Sequence, residues 1–242
     1  MTSEHSGSAQ SVAFVSGGSR GLGRALAGEL VRRGWHVIID GRDADCLAAA
    51  ATEMVDRASV TAVAGNVADP GHRERIASAA LEAGGLDLAV NNASVLGPSP
   101  QPHLADYPLE ALEAVYAINT FAPLALLQLL LPHLVHRQGR VVNISSDAAG
   151  EAYEGWGGYG SSKAALDHIT ATLGVENPGL RVYAFDPGDM RTDMQQQAFP
   201  GDDISDRPTA ESVVPVLMRL VDGDLPSGRY RVGDLAGMTI PT

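Results

Sequence analysis

The sequence predicts one α/β domain in which a doubly wound parallel sheet of about seven strands carries helices on both faces. Three observations lead to this fold class. Short apolar runs alternate with periodic segments of helical length, 242 residues suit one undivided domain of this type, and no repeat or linker divides the chain. Residues 1–10 are polar, so we expect a mobile N-terminus before a single domain over residues 11–242.

Apolar runs that end in glycine or polar residues predict the strands, which are Val12–Ser16, His36–Asp40, Ser59–Gly65, Leu86–Ser94, Arg140–Ser146, Leu180–Gly188 and Gly228–Val232. Helical periodicity predicts the helices Ala25–Trp35, Ala44–Ala58, Gly71–Gly84, Leu109–Gly139, Tyr159–Gly174 and Thr209–Val221. The Leu109–Gly139 segment is long enough for two consecutive helices with a bend near Pro123. Ligands of such sheets bind at the carboxyl ends of the strands, so the irregular segments Ser94–Pro108 and Asp186–Pro208 are candidate substrate loops.

Composition and charge argue against several classes of protein. With 29 acidic and 17 basic residues, the net charge of -12 disfavours binding to nucleic acid or to an anionic membrane surface. Cys46 is the single cysteine, the first residues do not resemble a signal peptide, and the apolar run Phe121–Val135 is shorter than a membrane span. We therefore expect a cytoplasmic protein without a membrane partner. His133 and His136 lack a nearby cysteine or acidic residue to complete a metal site, so no metal is expected.

The segment SGGSRGLG, residues 16–23, has the spacing of a nucleotide-binding glycine turn. Gly17, Gly21 and Gly23 stand between the first predicted strand and the first helix. Glycine lets the backbone turn sharply and approach a pyrophosphate, whose charge is favoured by the helix N-terminus that follows. A glycine-rich turn without a ligand is the alternative, but the strand before and the helix after favour a Rossmann-type dinucleotide site.

The residues around the end of the second strand, DGRD, bear on the choice between NADP(H) and NAD(H). An acidic residue there usually binds the ribose hydroxyls of NAD, whereas an arginine accommodates the 2'-phosphate of NADP. Gly41 falls at the position of the NAD-selecting acid and Arg42 follows it, while Arg20 in the glycine turn offers a second guanidinium. NADP(H) is therefore favoured, and Asp40 keeps NAD(H) as an alternative.

Tyr159 and Lys163 are four residues apart in a predicted helix, so their side chains share one face. A phenol with a pKa near 10 is a poor acid or base at neutral pH, and a neighbouring ammonium would lower that pKa. Ser146 lies thirteen residues before Tyr159, and its hydroxyl can polarise a carbonyl. The amide of Asn119 can hold a water that relays the proton. This set predicts carbonyl reduction, and neither a nucleophile elbow nor a His-acid pair points to hydrolysis.

In these motifs the chain resembles the short-chain dehydrogenase/reductase family, in its ordinary single-domain form. The similarity extends from Val12 to Gly237 through SGGSRGLG, NVAD, NNAS, Asn119, ISS, YGSSK and DPGDMRT. It implies an NAD(P)-dependent oxidoreductase in which Tyr159 gives or takes the proton and Lys163 also holds the nicotinamide ribose. The implied catalytic tetrad is Asn119, Ser146, Tyr159 and Lys163. The implied cofactor-binding residues are Gly17, Ser19, Arg20, Gly21, Leu22, Gly23, Gly41, Arg42, Asn66, Val67, Asn92, Ala93, Tyr159, Lys163, Pro187, Gly188 and Thr192.

The chain departs from the family pattern at two motifs. Asn66 stands where an aspartate usually contacts the adenine amino group, and its carbonyl can still accept that bond. Ser94 stands where glycine is usual, which costs stability if the backbone there needs a positive φ. Tyr153 is a second phenol without a lysine four residues on, so we expect it in the substrate cleft. The residues predicted for a partly apolar cleft are Leu96, His103, Tyr153, Trp156, Met190, Met194 and Phe199.

The sequence thus favours an NADP(H)-dependent carbonyl reductase or alcohol dehydrogenase that acts on a small-molecule ketone or secondary alcohol. Two alternatives stay open: a nucleotide-binding regulator or scaffold that has lost turnover, and an NAD-linked epimerase or dehydratase. The resemblance also implies a homodimer or a homotetramer formed through the helices around Phe121–Val135 and Ser161–Leu173.

Overall fold

The computed structural model describes residues 10–54, 56 and 59–238, so most of the predicted mobile N-terminus lies outside the described residues. Within them, the strands are β1 (Val12–Val15), β2 (His36–Gly41), β3 (Val60–Ala64), β4 (Leu88–Asn91), β5 (Arg140–Ile144), β6 (Arg181–Asp186) and β7 (Gly228–Arg231). These strands form a parallel sheet in the order β3-β2-β1-β4-β5-β6-β7. The predicted fold class is confirmed.

The helices connect the strands and cover both faces of the sheet. They are α1 (Gly21–Arg32), α2 (Ala44–Glu53), α3 (Pro70–Glu82), α4 (Leu109–Tyr116), α5 (Ala122–Arg137), α6 (Gly157–Glu176), α7 (Asp193–Ala198), α8 (Ala210–Asp222) and α9 (Val232–Ala236). The short helices α7 and α9 were not predicted. Helix α7 forms inside the second candidate substrate loop, where the Thr192 hydroxyl caps it by accepting the backbone N–H of Gln195 at 3.3 Å.

Alternate residues of β1 pack on opposite faces of the sheet, because successive strand side chains point in opposite directions. Ala13 and Val15 join the core under α1 and α8, whereas Val12 and Phe14 join the core under α3 and α5. Both faces of the central strands are therefore buried, which explains why they read as continuous apolar runs. Each fully buried leucine in these cores, such as Leu26, contributes about 2 kcal/mol.

The direction of the strand order reverses at β1, which pairs with both β2 and β4. Val15 lies opposite Ile39 of β2 on one side and opposite Val90 of β4 on the other. The carboxyl ends of these three strands therefore lie next to each other. In open α/β sheets the ligand crevice forms at such a reversal.

Helices α4 and α5 form one helical run over Leu109–Arg137, joined by a π-helical turn at Ala117–Phe121. The predicted bend near Pro123 is replaced by this turn, and Pro123 lies in the first turn of α5, where its missing N–H is tolerated. The 29-residue run is longer than the apolar segment that the sequence indicated, and by length and composition it passes as a membrane span. Half of its most apolar window is buried, with Leu126 and Leu130 in the core against the sheet, which is the pattern of a core helix.

Candidate active site

The carboxyl ends of the strands open into a cavity of about 1070 Å³, large enough for a cofactor and a small substrate. The predicted site residues that line it are Gly17, Ser19, Arg20, Gly21, Leu22, Gly41, Arg42, Asn66, Val67, Asn92, Ala93, Ser146, Tyr159, Lys163, Pro187, Gly188 and Thr192. Gly23 and Asn119 differ from this set, since they are buried behind the cavity wall. The fold thus brings the glycine turn and the Tyr-Lys pair to one cavity, although they are far apart in the sequence.

The glycine turn has the backbone geometry that a pyrophosphate site needs. Gly17 and Gly21 adopt left-handed conformations with φ of +67° and +53°. A Cβ on Gly23 would lie 2.4 Å from the carbonyl oxygen of Gly17 and 2.5 Å from Nδ2 of Asn92, so glycine is needed for close packing beneath the turn. Helix α1 starts at Gly21, and its first N–H groups at the cavity favour a phosphate. These residues fit the pyrophosphate of a dinucleotide.

Ser16 and Asn92 join the glycine turn to the end of β4. Ser16 Oγ accepts the backbone N–H groups of Asn92 and Ala93, each at 2.9 Å. The side-chain amide of Asn92 donates back to the carbonyl of Ser16 at 2.8 Å and to that of Gly17 at 3.3 Å. The motifs SGGSRGLG and NNAS therefore form one continuous wall of the cavity.

Asp40, the residue that kept NAD(H) as an alternative, is turned into the protein. Its side chain is 1% exposed; Oδ1 accepts the N–H of Gly17 at 2.7 Å, and Oδ2 lies 3.0 Å from Nε2 of the fully buried His72. Arg75 Nη2 lies 3.2 Å from the other ring nitrogen of His72, which leaves Nε2 to donate toward Asp40. The two carboxylate oxygens of Asp40 thus connect the glycine turn to His72 beneath it. Asp40 lines the cavity, but both of its carboxylate oxygens are bonded within the protein.

Two arginines mark the side of the cavity that lies next to Gly41. A Cβ on Gly41 would be 3.3 Å from Ser19 Oγ, and the position carries no acid. Arg42 is exposed at the cavity, and among the described residues none engages its guanidinium. Arg20 pairs with Asp193 at 3.0 Å, but both side chains are mostly exposed, so the pair is weak. Both guanidinium groups are therefore accessible to an anion.

Asn66, Thr192 and Gly188 complete the cofactor side of the cavity. Asn66 Oδ1 accepts the N–H of Ala68 at 3.0 Å and keeps a second lone pair, so the substitution for aspartate leaves an acceptor in place. The Thr192 methyl lies 3.6 Å from where a Cβ on Gly21 would be, which places the start of α7 over the glycine turn. Gly188 has a φ of +68°, a conformation that favours glycine after Pro187.

Helix α6 places Tyr159 and Lys163 side by side at the cavity. Both are buried; Lys163 Nζ donates to the carbonyl of Ile144 at 2.7 Å and lies 5.7 Å from the centroid of the phenol ring. Burial raises the pKa of Tyr159 to about 12, and hydrogen bonding from Ser94 and Ser146 offsets part of this rise. Burial also lowers the pKa of Lys163 to about 8. The expected lowering of the phenol pKa is therefore wrong, because desolvation is the largest influence on it.

Ser146 follows β5, and its hydroxyl lies next to a carboxylate. Ser146 Oγ donates to Asp147 Oδ1 at 2.9 Å, and Asp147 Oδ2 accepts the hydroxyl of Tyr153 at 3.1 Å. Asp147 lines the cavity and was missed, although its place directly after ISS was a visible signal. Ser145 also reaches the cavity, and its buried Oγ has no partner among the described residues.

Asn119 lies in the π-helical turn, and its side-chain amide is fully bonded within the protein. Nδ2 donates to the carbonyl of Val95 at 2.9 Å and to Ser162 Oγ at 3.1 Å. Oδ1 accepts the N–H of Val95 at 2.9 Å and the hydroxyl of Ser94 at 3.1 Å. An amide has two donors and two lone pairs, so this side chain has no bond left for the relay water that the sequence suggested. Asn119 instead fixes the loop after β4.

Ser94 replaces the usual glycine without backbone strain. Among the described residues other than glycine, Gln138 alone has a positive φ. The predicted cost of serine at this position therefore does not arise. Its hydroxyl adds a bond to Asn119 and an interaction that favours the phenolate of Tyr159.

The other end of the cavity is partly apolar. Of the predicted cleft residues, Leu96, Trp156, Met190 and Met194 line it. The Trp156 ring meets Tyr159 edge to face, with 5.8 Å between centroids. The remaining three lie outside the cavity: His103 is exposed beside Glu154, Tyr153 bonds to Asp147 and Glu151, and Phe199 packs behind Trp156.

Comparison with known proteins gives consistent matches over most of the chain. The profile of the short chain dehydrogenase family matches residues 11–203. The uncharacterized oxidoreductase YIR035C of Saccharomyces cerevisiae is 34% identical over 187 residues, which cover 76% of this chain and 72% of that protein. The 1-deoxy-11-beta-hydroxypentalenate dehydrogenase of Streptomyces exfoliatus is 35% identical over 191 residues, covering 76% and 69% of the two chains. A short chain dehydrogenase from Shigella flexneri, crystallised with NADP, superposes with a TM-score of 0.82 at 26% identity over 92% of this chain and 97% of that one.

These matches agree with the architecture described above. The family profile starts one residue before β1 and extends beyond α7, so it includes the glycine turn, the Tyr-Lys pair and the strand ends between them. The relatives are named as oxidoreductases or dehydrogenases. The chain therefore belongs to the short-chain dehydrogenase/reductase family and is an NAD(P)-dependent oxidoreductase.

Proposed function

We propose that the protein is an NADP(H)-dependent carbonyl reductase or alcohol dehydrogenase, which transfers hydride between nicotinamide and a ketone or secondary alcohol. The observation that carries this proposal is the meeting of Tyr159, Ser146 and Lys163 in the cavity that also contains the glycine turn. A phenol, a hydroxyl and a buried cation suit proton transfer at a carbonyl oxygen. NADP(H), when bound, supplies or accepts the hydride.

Tyr159 is the proton donor in reduction and the base in oxidation. Ser146 Oγ, now donating to Asp147, turns its hydrogen toward the substrate oxygen and orients the carbonyl. Lys163 gives a positive charge near the phenol, and the low exposure of both groups strengthens that interaction because water is excluded. At neutral pH the phenol of Tyr159 carries the proton that reduction requires, and the charge of Lys163 favours its release once the carbonyl oxygen gains negative charge.

The preference for NADP(H) is supported by the positions of Asp40 and Arg42. An acid that selects NAD has to present its carboxylate to the ribose, whereas Asp40 bonds to Gly17 and His72 beneath the turn. Arg42 is exposed at the cavity beside Gly41, which leaves room for a 2'-phosphate. The related Shigella flexneri dehydrogenase was crystallised with NADP, which agrees with this preference.

The cofactor part of the proposal is tested by paired fluorescence titrations with NADPH and NADH. We expect NADPH to bind the wild-type protein at least about tenfold more tightly, because a phosphate-guanidinium contact contributes about 1.5–3 kcal/mol. Arg42→Ala removes most of this difference and leaves NADH binding unchanged. Arg32→Ala, an exposed arginine at the far end of α1, is the matched control and keeps the wild-type affinities. Tighter binding of NADH by the wild type contradicts the proposed preference.

The reaction part is tested by following NADPH oxidation across a panel of ketones. The apolar wall of Leu96, Trp156, Met190 and Met194 favours ketones that carry at least one apolar substituent. Turnover in the wild type that is lost in Tyr159→Phe supports the proposal. Cofactor binding without turnover on any ketone or alcohol contradicts it and favours a nucleotide-binding regulator.

We also propose that the chain assembles as a homodimer or homotetramer through α5. Phe121, at the end of the π-helical turn before α5, and Val135, near the end of α5, are more than half exposed, and Leu129 is partly exposed between them. Large apolar side chains in a row on one surface favour a protein interface. Sedimentation equilibrium tests this point, and a monomer at micromolar concentration contradicts it.

A further inference from the structure

Arg229 of β7 contacts three elements that build the active site. Its Nη2 donates to the carbonyl oxygen of Ser146 at 2.8 Å and to Asp186 Oδ2 at 3.2 Å. Its Nε donates to Asp167 Oδ2 at 2.9 Å. Asp186 ends β6 and Asp167 lies one turn after Lys163 in α6. One guanidinium therefore joins the segment after β5, the end of β6 and helix α6.

The partners of Arg229 are carboxylates with little access to water. The side chain of Asp186 is 5% exposed and that of Asp167 is 17% exposed. Two such carboxylates are costly to bury without a cation, and the planar guanidinium serves both at once. Arg231 adds a weaker second cation, because its Nε lies 3.9 Å from Asp186 while its Nη2 binds Glu151. Arg229 is thus the closer counter-charge of Asp186.

Asp186 links this ion pair to the reacting phenol. The negative charges of Asp186 and Asp147 both raise the pKa of Tyr159, and Asp167 favours the charged form of Lys163. The other polar groups that act on Tyr159 are Lys163 on the same helix and the hydroxyls of Ser94 and Ser146. Asp186 Oδ1 also accepts the N–H of Gly188 at 3.0 Å, in the segment assigned to the nicotinamide. A cation bound to Asp186 reduces the effect of its charge on the phenol.

We propose that Arg229 is a positioning residue. It holds the backbone at Ser146, and by neutralising the charge of Asp186 it favours formation of the Tyr159 phenolate. The inference rests on the proposed function, since it assigns Arg229 a part in the proton transfer at the same site. Arg229 itself touches neither the phenol nor the cavity; it acts through Ser146 and Asp186.

Arg181 provides a matched control for this role. It begins β6 at the opposite end of the strand from Asp186, its side chain is 35% exposed compared with 30% for Arg229, and it also pairs with an aspartate, Asp224. Arg181→Gln therefore removes an arginine–aspartate pair from a neighbouring strand at the amino end of the sheet, and its partner Asp224 is 80% exposed whereas Asp186 is 5% exposed. A change in kcat or in the pH profile that occurs in Arg229→Gln but not in Arg181→Gln is therefore specific to the active site.

The test is the pH dependence of NADP-linked alcohol oxidation, in which the active form of Tyr159 is the phenolate. In Arg229→Gln the charge of Asp186 keeps only the weaker contact with Arg231 and opposes the phenolate more strongly, so the apparent pKa of Tyr159 rises by about half a unit or more. Loss of the bond to the Ser146 carbonyl lowers kcat by about tenfold. Arg229→Lys keeps the charge but not the fork of donors, so it restores the pH profile and only part of kcat. Asp186→Asn shifts the profile to lower pH, and Arg181→Gln leaves it unchanged.

An Arg229→Gln profile that coincides with those of the wild type and Arg181→Gln overturns the inference. If Arg229→Gln does not fold, as judged by circular dichroism, Asp186→Asn decides: a shift to lower pH supports the inference and an unchanged profile overturns it. If the wild type shows no turnover, the proposed function fails separately. The phenolate absorbance of Tyr159, obtained by subtracting the matching Tyr159→Phe protein, then gives the same comparison of pKa values between variants.

Discussion

The backbone N–H of Gly17 donates to Asp40 Oδ1 over 2.7 Å, so a buried carboxylate supports the glycine turn from below. His72 binds the other oxygen of that carboxylate at 3.0 Å and is itself fully buried. In the sequence, Asp40 reads as a possible ribose ligand because it stands next to the NAD-selecting position. In the structure it links the end of β2 to the cofactor turn and to helix α3.

Asp40→Ala is expected to weaken binding of NADPH and of NADH by a similar factor. It leaves the N–H of Gly17 and the ring of His72 without their buried partner, which destabilises the protein by about 3 kcal/mol and loosens the turn. Urea unfolding and fluorescence titrations with both cofactors measure the two effects. Asp43→Ala, which removes the exposed cap of α2, is the control with the smaller stability loss. A selective loss of NADH affinity in Asp40→Ala contradicts this role.

Gly23→Ala is expected to reduce the affinity for both cofactors by at least about tenfold. The added Cβ would lie within 2.5 Å of Gly17 and Asn92, so the turn has to move. Gly28 lies on the same helix with open space at its Cβ position, which makes Gly28→Ala the matched control. That control keeps cofactor binding and stabilises the protein by about 0.5–1 kcal/mol, because alanine is the better helix former. Equal affinities in the two variants contradict the packing role of Gly23.

The strands of the sheet could be predicted from the sequence because each strand has a hydrophobic pattern within a few consecutive residues. Strands that are buried on both faces read as short apolar runs, and the helices between them keep a clear periodicity. The segments that escaped prediction have no such pattern: α7 is six residues long, and the π-helical turn at Ala117–Phe121 interrupts a sequence that reads as continuous helix. Helix boundaries and short helices depend on caps and packing more than on periodicity.

The candidate site was predictable where function is encoded by short spacings, as in the glycine turn and the Tyr159–Lys163 pair. The residues that were missed act over long separations in the chain. Arg229 bonds to Ser146 across 83 residues, and His72 bonds to Asp40 across 32. Such contacts follow from the order of strands in the sheet, so a single sequence shows them as ordinary charged residues. The direction of the Asp40 side chain likewise required the register of β2.

Lys163→Met is expected to be more stable than the wild type at neutral pH. Burial lowers the pKa of Lys163 from 10.5 to about 8, so below pH 8 the folded protein carries a desolvated ammonium. Removing it relieves about 3 kcal/mol, of which about 1 kcal/mol is lost again at the unpaired carbonyl of Ile144. As pH rises from 8 to about 10.5 the wild-type lysine becomes neutral in both states, so the variant loses its advantage. Only the unpaired carbonyl of Ile144 then remains, which leaves the wild type the more stable protein by about 1 kcal/mol. Melting temperatures of both proteins from pH 6 to about 10 check this, and a gap that is independent of pH contradicts it.

Tyr159→Phe is expected to lower kcat for ketone reduction by about 10²–10⁴-fold while cofactor binding stays intact, because the variant removes the proton donor and little else. Tyr153→Phe is the matched control, since it removes the other phenol near the motif. Tyr153 is 43% exposed and lies outside the cavity, and its hydrogen bonds to Glu151 and Asp147 raise its pKa, which makes it a poor proton donor to a ketone. Its loss frees one oxygen of Asp147, so kcat changes by less than about tenfold. Steady-state kinetics of the two variants decide between the phenols, and a larger loss in Tyr153→Phe assigns the proton transfer to Tyr153.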